Sequence, residues 1–481
     1  MGTLFCSLPN LAYWVPLWTA RWHDPVFGPV ATHLLVLFPI AYSGIAIVKS
    51  LVLLALGGFV LGTWVVHTLL RVSIGKENTT SSSRFFSWQV LLPGILLPIL
   101  PILLPYLQPP ILPHPLSQPF LHPKLPLRIL SSIPSVTGMV VVGEMLPPPD
   151  WQPGMPEEFP HSFRYLRASH SLLGGVWLGA KVHSRSAVRI PLLDQQGNEL
   201  GDSIYSTFVL QEALRLVDRE SKDSEGHNQN ALIIGLGAGI AATALSRHNI
   251  ATTVVEIDPA VYNASRQYFG LPDFGPDRVF LEDARSFVRR RRQRLELDGA
   301  QDEKFDFVVH DCFSGGGVPA HIFTIQFWED LKMIMHVDGV VAVNFAGKLS
   351  SDPSKAILTT LQHSFEHCRA FHDAEPMSRE ELLSGFINLV FFCSPSSKPL
   401  TFRTPRENDY LSSHLRAHVF GSLPEREVDL QLINQNIHAD DIDKWILRDQ
   451  NNQLQKWQAE GALEHWQIMR QILPAPVWET F

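Results

Sequence analysis

The run Ala231-Leu-Ile-Ile-Gly-Leu-Gly-Ala-Gly239, followed by Val254-Val-Glu-Ile-Asp-Pro259, narrows the possible folds more than anything else in the chain. An apolar strand that breaks into alternating glycines, answered by a second apolar strand ending in a carboxylate, is the pattern of a nucleoside-binding β-α-β unit. Glu256 stands 21 positions after Gly235, close to the spacing of about 20 at which an acidic side chain reaches a ribose hydroxyl. Gly235, Gly237 and Gly239 let the backbone leave the strand sharply and approach a ligand, because a Cβ there would collide or forbid positive φ. A bare G-x-G-x-G is equally compatible with a tight strand-to-helix turn, so the reading depends on further carboxylates.

Three more segments strengthen the reading, and two of them supply such carboxylates. Glu282-Asp-Ala-Arg-Ser-Phe287 puts Asp283 at the end of a third short apolar run, where an adenine amino group could donate to it. Phe305-Asp-Phe-Val-Val-His-Asp-Cys312 reads as a fourth strand ending in Asp311, and Gly339-Val-Val-Ala-Val-Asn-Phe345 as a fifth. Carboxylates at the C-terminal ends of successive strands lie on the edge where open α/β sheets bind ligands. Short alternating runs from Phe163 to Tyr205, with Gly174-Gly175 and Gln196-Gly-Asn198 turns, suggest antiparallel strands ahead of a helix to about Val217. Phe386 to Phe392 is the candidate seventh strand.

In this order of motifs, residues from about 162 to 395 resemble the spermidine-synthase-like, polyamine aminopropyltransferase-like branch of the class I S-adenosylmethionine-dependent methyltransferase superfamily. The likeness includes His170-Ser-Leu-Leu-Gly-Gly175, Asp202-Ser-Ile-Tyr-Ser-Thr-Phe208 and Pro319-Ala320. It implies an α/β fold with a Rossmann-like seven-stranded sheet preceded by a small antiparallel β-domain. It also implies S-adenosylmethionine or its decarboxylated form as co-substrate, without a metal. On that resemblance Gly235, Gly237, Gly239, Glu256, Asp283 and Ala284 hold the donor, Asp311 is the catalytic base, and Tyr205 and Ser314 meet the acceptor.

Departures from the family pattern weigh on the activity. Where polyamine synthases carry an aspartate that holds the donor amine, this chain has Ala238, and the second acid of their D-x-x-D loop is replaced by Ser314 in Asp311-Cys-Phe-Ser314-Gly315. The acidic triplet of the helix leading into the core has become Tyr205-Ser206-Thr207. A hydrogen bond to a charged group contributes roughly 1.5–3 kcal/mol, so losing several such contacts disfavours a polycationic substrate. Methyl transfer to an unknown acceptor is the expected activity. Aminopropyl transfer from decarboxylated S-adenosylmethionine is the competing one, and a membrane-anchored pseudoenzyme that binds a nucleoside, or no ligand, stays open. The acceptor loop Ser314-Gly-Gly-Gly317 reads as open.

Up to about residue 145 the chain is apolar and nearly free of acids; beyond Asp150 it is mixed. Ala31 to Val48 and Leu51 to Leu70 approach the roughly 20 apolar residues that cross a bilayer. Val90 to Leu107 is interrupted by Pro93, Pro98, Pro101 and Pro105, which suits a kinked span or a re-entrant segment. Ile129 to Val142 is open between a fourth span and an interfacial or strand segment. These segments lead to the expectation of a multi-pass membrane protein without a cleaved signal peptide. Arg71, Lys76 and Arg84 put their loop, and the catalytic region if the third segment does not cross, on the cytosolic side. The sequon Asn78-Thr-Thr80 matters only if that loop is lumenal.

The domains expected are a membrane region over 1–108, a Pro-rich linker over 109–160, a small β-domain with its following helix over 161–220, a transferase core over 221–395, and a helical extension over 396–481. Trp445, Trp457, Trp466 and Trp478 in that extension read as packing residues. Cysteines 6, 312, 368 and 393 have no paired spacing and point to neither metal nor disulfide, which fits a reduced cytosolic setting. Cys312 reads as a small buried thiol and His310 as a packed histidine. The net charge of −8 speaks against nucleic-acid partners, and the run Arg289-Arg-Arg-Arg-Gln-Arg294 reads as a solvated helix end. The expected partners are a small-molecule donor, the unknown acceptor and the lipid bilayer, with a homodimer left open.

Overall fold

The computed structural model describes residues 112, 116–156, 160–186, 190–219, 229–298, 304–313, 315–375, 377–435, 437 and 441–480. All belong to the second of two compact units, Pro110–Phe481. The first three candidate membrane segments, between Ala31 and Leu107, lie outside the described residues.

Short apolar runs at the start of this unit pair into an antiparallel sheet of seven strands: β1 (Phe120–Leu121), β2 (Leu127–Ser135), β3 (Gly138–Met145), β4 (Phe163–Ala168), β5 (Ser171–Leu178), β6 (Leu192–Leu193) and β7 (Glu199–Ser203). Their order is β1-β2-β3-β4-β5-β7-β6. The segment Ile129 to Val142, weighed above as a fourth span, is the β2–β3 hairpin. Gly138 turns it at φ +113, and a Cβ there would stand 2.2 Å from the Ser169 hydroxyl. The apolar residues bury themselves within this sheet, Ile129 and Val141 completely, and therefore need no lipid. Residues 109–160 thus contribute three strands rather than a bare connector.

The second sheet begins at the glycine motif: β8 (Asn230–Ile234), β9 (Ala251–Val255), β10 (Val279–Phe280), β11 (Phe305–His310), β12 (Met335–Gly347), β13 (His367–His372), β14 (Ile387–Ser394) and β15 (Glu427–Val428). Their order is β10-β9-β8-β11-β12-β14-β13-β15; β8 to β12 pair in parallel, and the β12–β14, β14–β13 and β13–β15 ladders are antiparallel, so only β14 and β15 run against the rest. Buried on both faces, the parallel strands are nearly all apolar, as the sequence runs required. The sheet has eight strands where seven were expected. The extra one is a two-residue edge from the tail, held because Val428 enters the core.

The helices crossing back over this sheet start where the sequence provides caps. Asp258 accepts the Ala260 N–H at 2.8 Å ahead of α1 (Pro259–Tyr268), which also carries proline at its first turn. Asp258 takes the Thr137 N–H at 2.9 Å as well, tying the β2–β3 turn to the core. The arginine run lies on α2 (Ala284–Asp298), where Arg290 pairs with Glu282, Arg292 with Asp330 and with Glu296 at 3.2 Å.

A disulfide joins Cys368 and Cys393, correcting the expectation that no cysteine pair exists. The two are 25 apart in sequence but face each other across the β13–β14 ladder with Cα atoms 4.1 Å apart, so pairing came from strand register and not from spacing. Disulfides form and persist in oxidising surroundings, which removes the argument for a reduced cytosolic setting.

Candidate active site

Strand register builds the site. Ile234, Val255, Phe280 and His310 are in line across β8, β9, β10 and β11, so the residues that follow them share one edge of the sheet. Chain order reverses between β8 and β11, and the crevice there is where an open α/β sheet binds ligands. A cavity of about 240 Å³ occupies it, lined among others by Gly235, Gly237, Glu256, Asp283, Ala284 and Asp311.

Gly235 is at φ +81, and a Cβ on it would lie 2.1 Å from the Asp311 carbonyl oxygen. Gly237, at φ +53, would meet the Leu173 carbonyl at 2.4 Å. Two of the three glycines thus serve close approach of the loop to β11 and β5, while Gly239 at φ +77 opens the following helix, Ile240–Arg247, and does not line the cavity. Ala238 donates its N–H to Leu173 O at 2.9 Å and packs its methyl group on Gly174. A carboxylate at 238 has no room there.

Glu256 is buried and accepts the Leu236 N–H at 2.8 Å and the Asp258 N–H at 2.9 Å. Burial pushes its carboxyl up to about 7, against the pull of those amides. Asp283 accepts the Ser286 N–H at 3.0 Å and meets His321 Nε2 at 2.8 Å. Burial raises it, but the His321 ring and the Ser286 amide prevail and hold it below the ordinary value. Asp311 accepts Gln211 Nε2–H and Asn344 Nδ2–H, each at 2.8 Å; burial still pushes it up. Its carboxyl is a fixed acceptor with raised basicity, suited to general-base work.

Of the acceptor residues expected from the sequence, Tyr205 lines the cavity, and its buried hydroxyl has no hydrogen-bond partner among the described residues. Ser314 lies outside the described residues. Gly315 faces open space, but the next two glycines are covered: a Cβ at Gly316 would stand 2.5 Å from Ala462 Cα, on the tail helix α3 (Ala459–Ile472), and one at Gly317 2.9 Å from the Gln458 side chain. Gln458 locks this loop from the same side, accepting the Val318 N–H at 2.9 Å and donating to its carbonyl at 2.8 Å.

That helix sends His465 and Met469 into the cavity wall, and burial lowers the His465 imidazole to about 4. Neither residue was foreseen, nor were His321, Asn344 and Asn388 in the lining or Gln211 behind Asp311, because nothing local in the sequence marks a side chain as facing a cavity. Cys312 lines the cavity, but burial and the charge of Asp311 raise its thiol well above its ordinary value, so it stays protonated. His310 packs among Phe323, Phe327 and Trp328, and burial lowers it to about 3. Among the described residues no group of His, Cys, Asp and Glu could hold a metal ion.

Fold and edge together define an α/β transferase of the S-adenosylmethionine-dependent type. Residues 208–376 match the spermine/spermidine synthase domain. The chain is 32% identical over 510 aligned residues to the N-terminal histidine N-methyltransferase of Emericella nidulans, covering 98% of this chain and 84% of that one. A polyamine aminopropyltransferase of Vibrio vulnificus is 32% identical over 118 residues, which are 24% of this chain and 37% of the relative. A probable spermidine synthase structure from Corynebacterium glutamicum superposes with a TM-score of 0.40 and 15% identity, covering 64% of this chain and 92% of that one. The chain belongs to the family of the N-terminal histidine N-methyltransferase and is an S-adenosylmethionine-dependent transferase with a spermidine-synthase-like domain.

The same comparison corrects the expectation of an integral membrane protein with a cytosolic catalytic part. The alignment that places the chain in this methyltransferase family takes in the apolar N-terminal stretch, and among the described residues no helix is long and apolar enough to cross a membrane.

Proposed function

We propose that the chain transfers the methyl group of S-adenosylmethionine to a nitrogen of the N-terminal histidine of a protein. The observation that carries this reading is the near full-length likeness to a histidine N-methyltransferase, against matches of about a third to a half of the polyamine aminopropyltransferases' length. Glu256 takes the ribose hydroxyls, Asp283 with the Ala284 backbone takes the adenine, and the Gly235–Gly237 loop brings the backbone against the donor. The donor supplies a methyl group on a positively charged sulfur. The acceptor nitrogen attacks that carbon in line, the carbon–sulfur bond breaks, S-adenosylhomocysteine leaves, and Asp311 accepts the proton shed by the nitrogen. Alignment does most of the work in such a displacement, and a placed base adds about 10²–10⁴-fold.

Aminopropyl transfer is disfavoured by Ala238 packed on Gly174, which leaves no acid for the donor amine. The test is mass spectrometry of histidine-led peptides incubated with S-adenosylmethionine, beside putrescine with the decarboxylated donor. Methylated peptide is expected; an aminopropylated amine instead refutes the reading. Calorimetry that detects no heat with either donor or with methylthioadenosine refutes transfer from these donors and favours a pseudoenzyme that binds no nucleoside.

A further inference from the structure

One wall of the cavity comes from the tail and owes nothing to the strand edge. His465 and Met469, four residues apart and so on one side of α3, both line it. Neither falls within residues 208–376, the part that matches the spermine/spermidine synthase domain. The helix is fixed at both ends. At its start Gln458 holds Val318, Gly316 packs under Ala462, and Lys348 pairs with Glu464 at 2.9 Å. Beyond its other end Trp478 is fully buried in the core of the first sheet, edge-on to Trp466 at 5.2 Å, and Arg167 donates to the Thr480 carbonyl.

The chemistry of this wall is unlike that of the strand edge. Met469 is buried and shares its core with Leu172 and Tyr205, which also line the cavity. The His465 ring stands edge-on to Phe313, two residues past Asp311, at 5.1 Å and is tilted to Phe386 at 5.7 Å. Burial holds that imidazole neutral at physiological pH. Phe208, edge-on to Tyr205 at 6.3 Å, continues the lining. A thioether, phenyl rings and an uncharged imidazole offer nothing that grips an alkyl ammonium, whose charge would lose water against them. They do attract a planar ring, because ring edges, ring faces and sulfur interact favourably beyond the area they bury.

We propose that α3 is an active-site element and that His465 and Met469 select an acceptor led by a flat ring, imidazole or phenyl, over one led by an alkyl or alkylammonium chain. The inference rests on the preceding reading, which gives the Glu256 and Asp283 side of the cavity to the donor and leaves this side to the acceptor. Choice of acceptor then resides in a segment outside the synthase domain, while Gly235, Glu256 and Asp283 lie within it.

The test is calorimetry on the full chain with S-adenosylhomocysteine bound, using short peptides alike except for a leading histidine, phenylalanine, leucine or lysine. The histidine- and phenylalanine-led peptides are expected to bind about three- to tenfold tighter than the other two. The gap should close in His465→Ala and narrow in Met469→Ala, and it should persist in His465→Phe, which restores a ring. All three variants should keep the melting transition and the affinity for S-adenosylhomocysteine. Equal binding of the four peptides, binding of none, or preference for histidine alone overturns the ring-selecting wall. So does a His465→Ala variant that keeps the ring preference, or one that loses S-adenosylhomocysteine along with it, because the helix then serves the donor. Ring preference without methyl transfer to the histidine-led peptide upholds the wall and refutes only the histidine reading.

Discussion

Replacing Glu256 by glutamine separates what this carboxylate does for the fold from what it does for the donor. The native side chain is buried, satisfies two backbone N–H groups, and has its carboxyl raised from 4.5 to about 7. At about 1.36 kcal/mol per pKa unit, holding it ionised above pH 7 costs the fold about 3 kcal/mol. The sign follows from proton counting. Between pH 4.5 and about 7 the native state keeps a proton that the unfolded chain releases, so this group's contribution to stability falls as pH rises across that window. Glutamine removes the charge penalty but turns an NH₂ towards one of the two amides, at about 1–3 kcal/mol. Stability of Glu256→Gln at pH 8 should therefore lie within about 2 kcal/mol of the wild type in denaturant unfolding. Donor affinity should not survive so well. Loss of a charge-assisted ribose contact corresponds to about 10- to 100-fold weaker S-adenosylhomocysteine in calorimetry at pH 8. Wild-type affinity should fall by up to about tenfold per pH unit below 7, with the variant flat. A variant that binds like the wild type across this range refutes the assignment of Glu256 to the ribose.

Other substitutions test the remaining geometry. Asp311→Asn should lower kcat by about 10²–10⁴-fold in steady-state kinetics while S-adenosylhomocysteine binding is unchanged; equal losses in both would make the residue structural. Ala238→Asp should lower the melting temperature by a stability loss of several kcal/mol, because it forces a carboxylate into the contact with Gly174; an unchanged melting temperature together with new aminopropyl transfer would overturn that packing account. Non-reducing peptide mapping should return a Cys368–Cys393 pair, and the Cys368→Ala/Cys393→Ala double variant should unfold about 3 kcal/mol more easily. Equal stability with and without reductant would count against the bond.

The motifs around 235, 256, 283 and 311 were legible because each combines an apolar run of strand length with a polar stop, a signal local enough to survive without partners. The segment 129–142 was ambiguous for the same reason: a short apolar run has no local mark that distinguishes lipid from a neighbouring strand, and only pairing with β4 decided it. Acceptor-side residues were harder still. Asn344 comes from β12, Asn388 from β14, and His465 from a helix about 150 residues beyond Asp311, so their convergence is a property of the topology. The open acceptor loop was misread because glycine signals closeness as readily as freedom, and here Gly316 is small so that α3 can lie on it.

What the amino-acid order determined by itself was one edge of the second sheet, with Gly235, Glu256, Asp283 and Asp311 along it. Strand, glycine turn and terminal carboxylate are contiguous in the chain, and parallel register then lines them along one edge. The tertiary structure alone decided the opposite wall of the cavity and the cysteine pairing. Those depend on which distant strands and helices come to lie side by side, and that is set by burial of the apolar faces, to which the polar residues themselves contribute nothing readable.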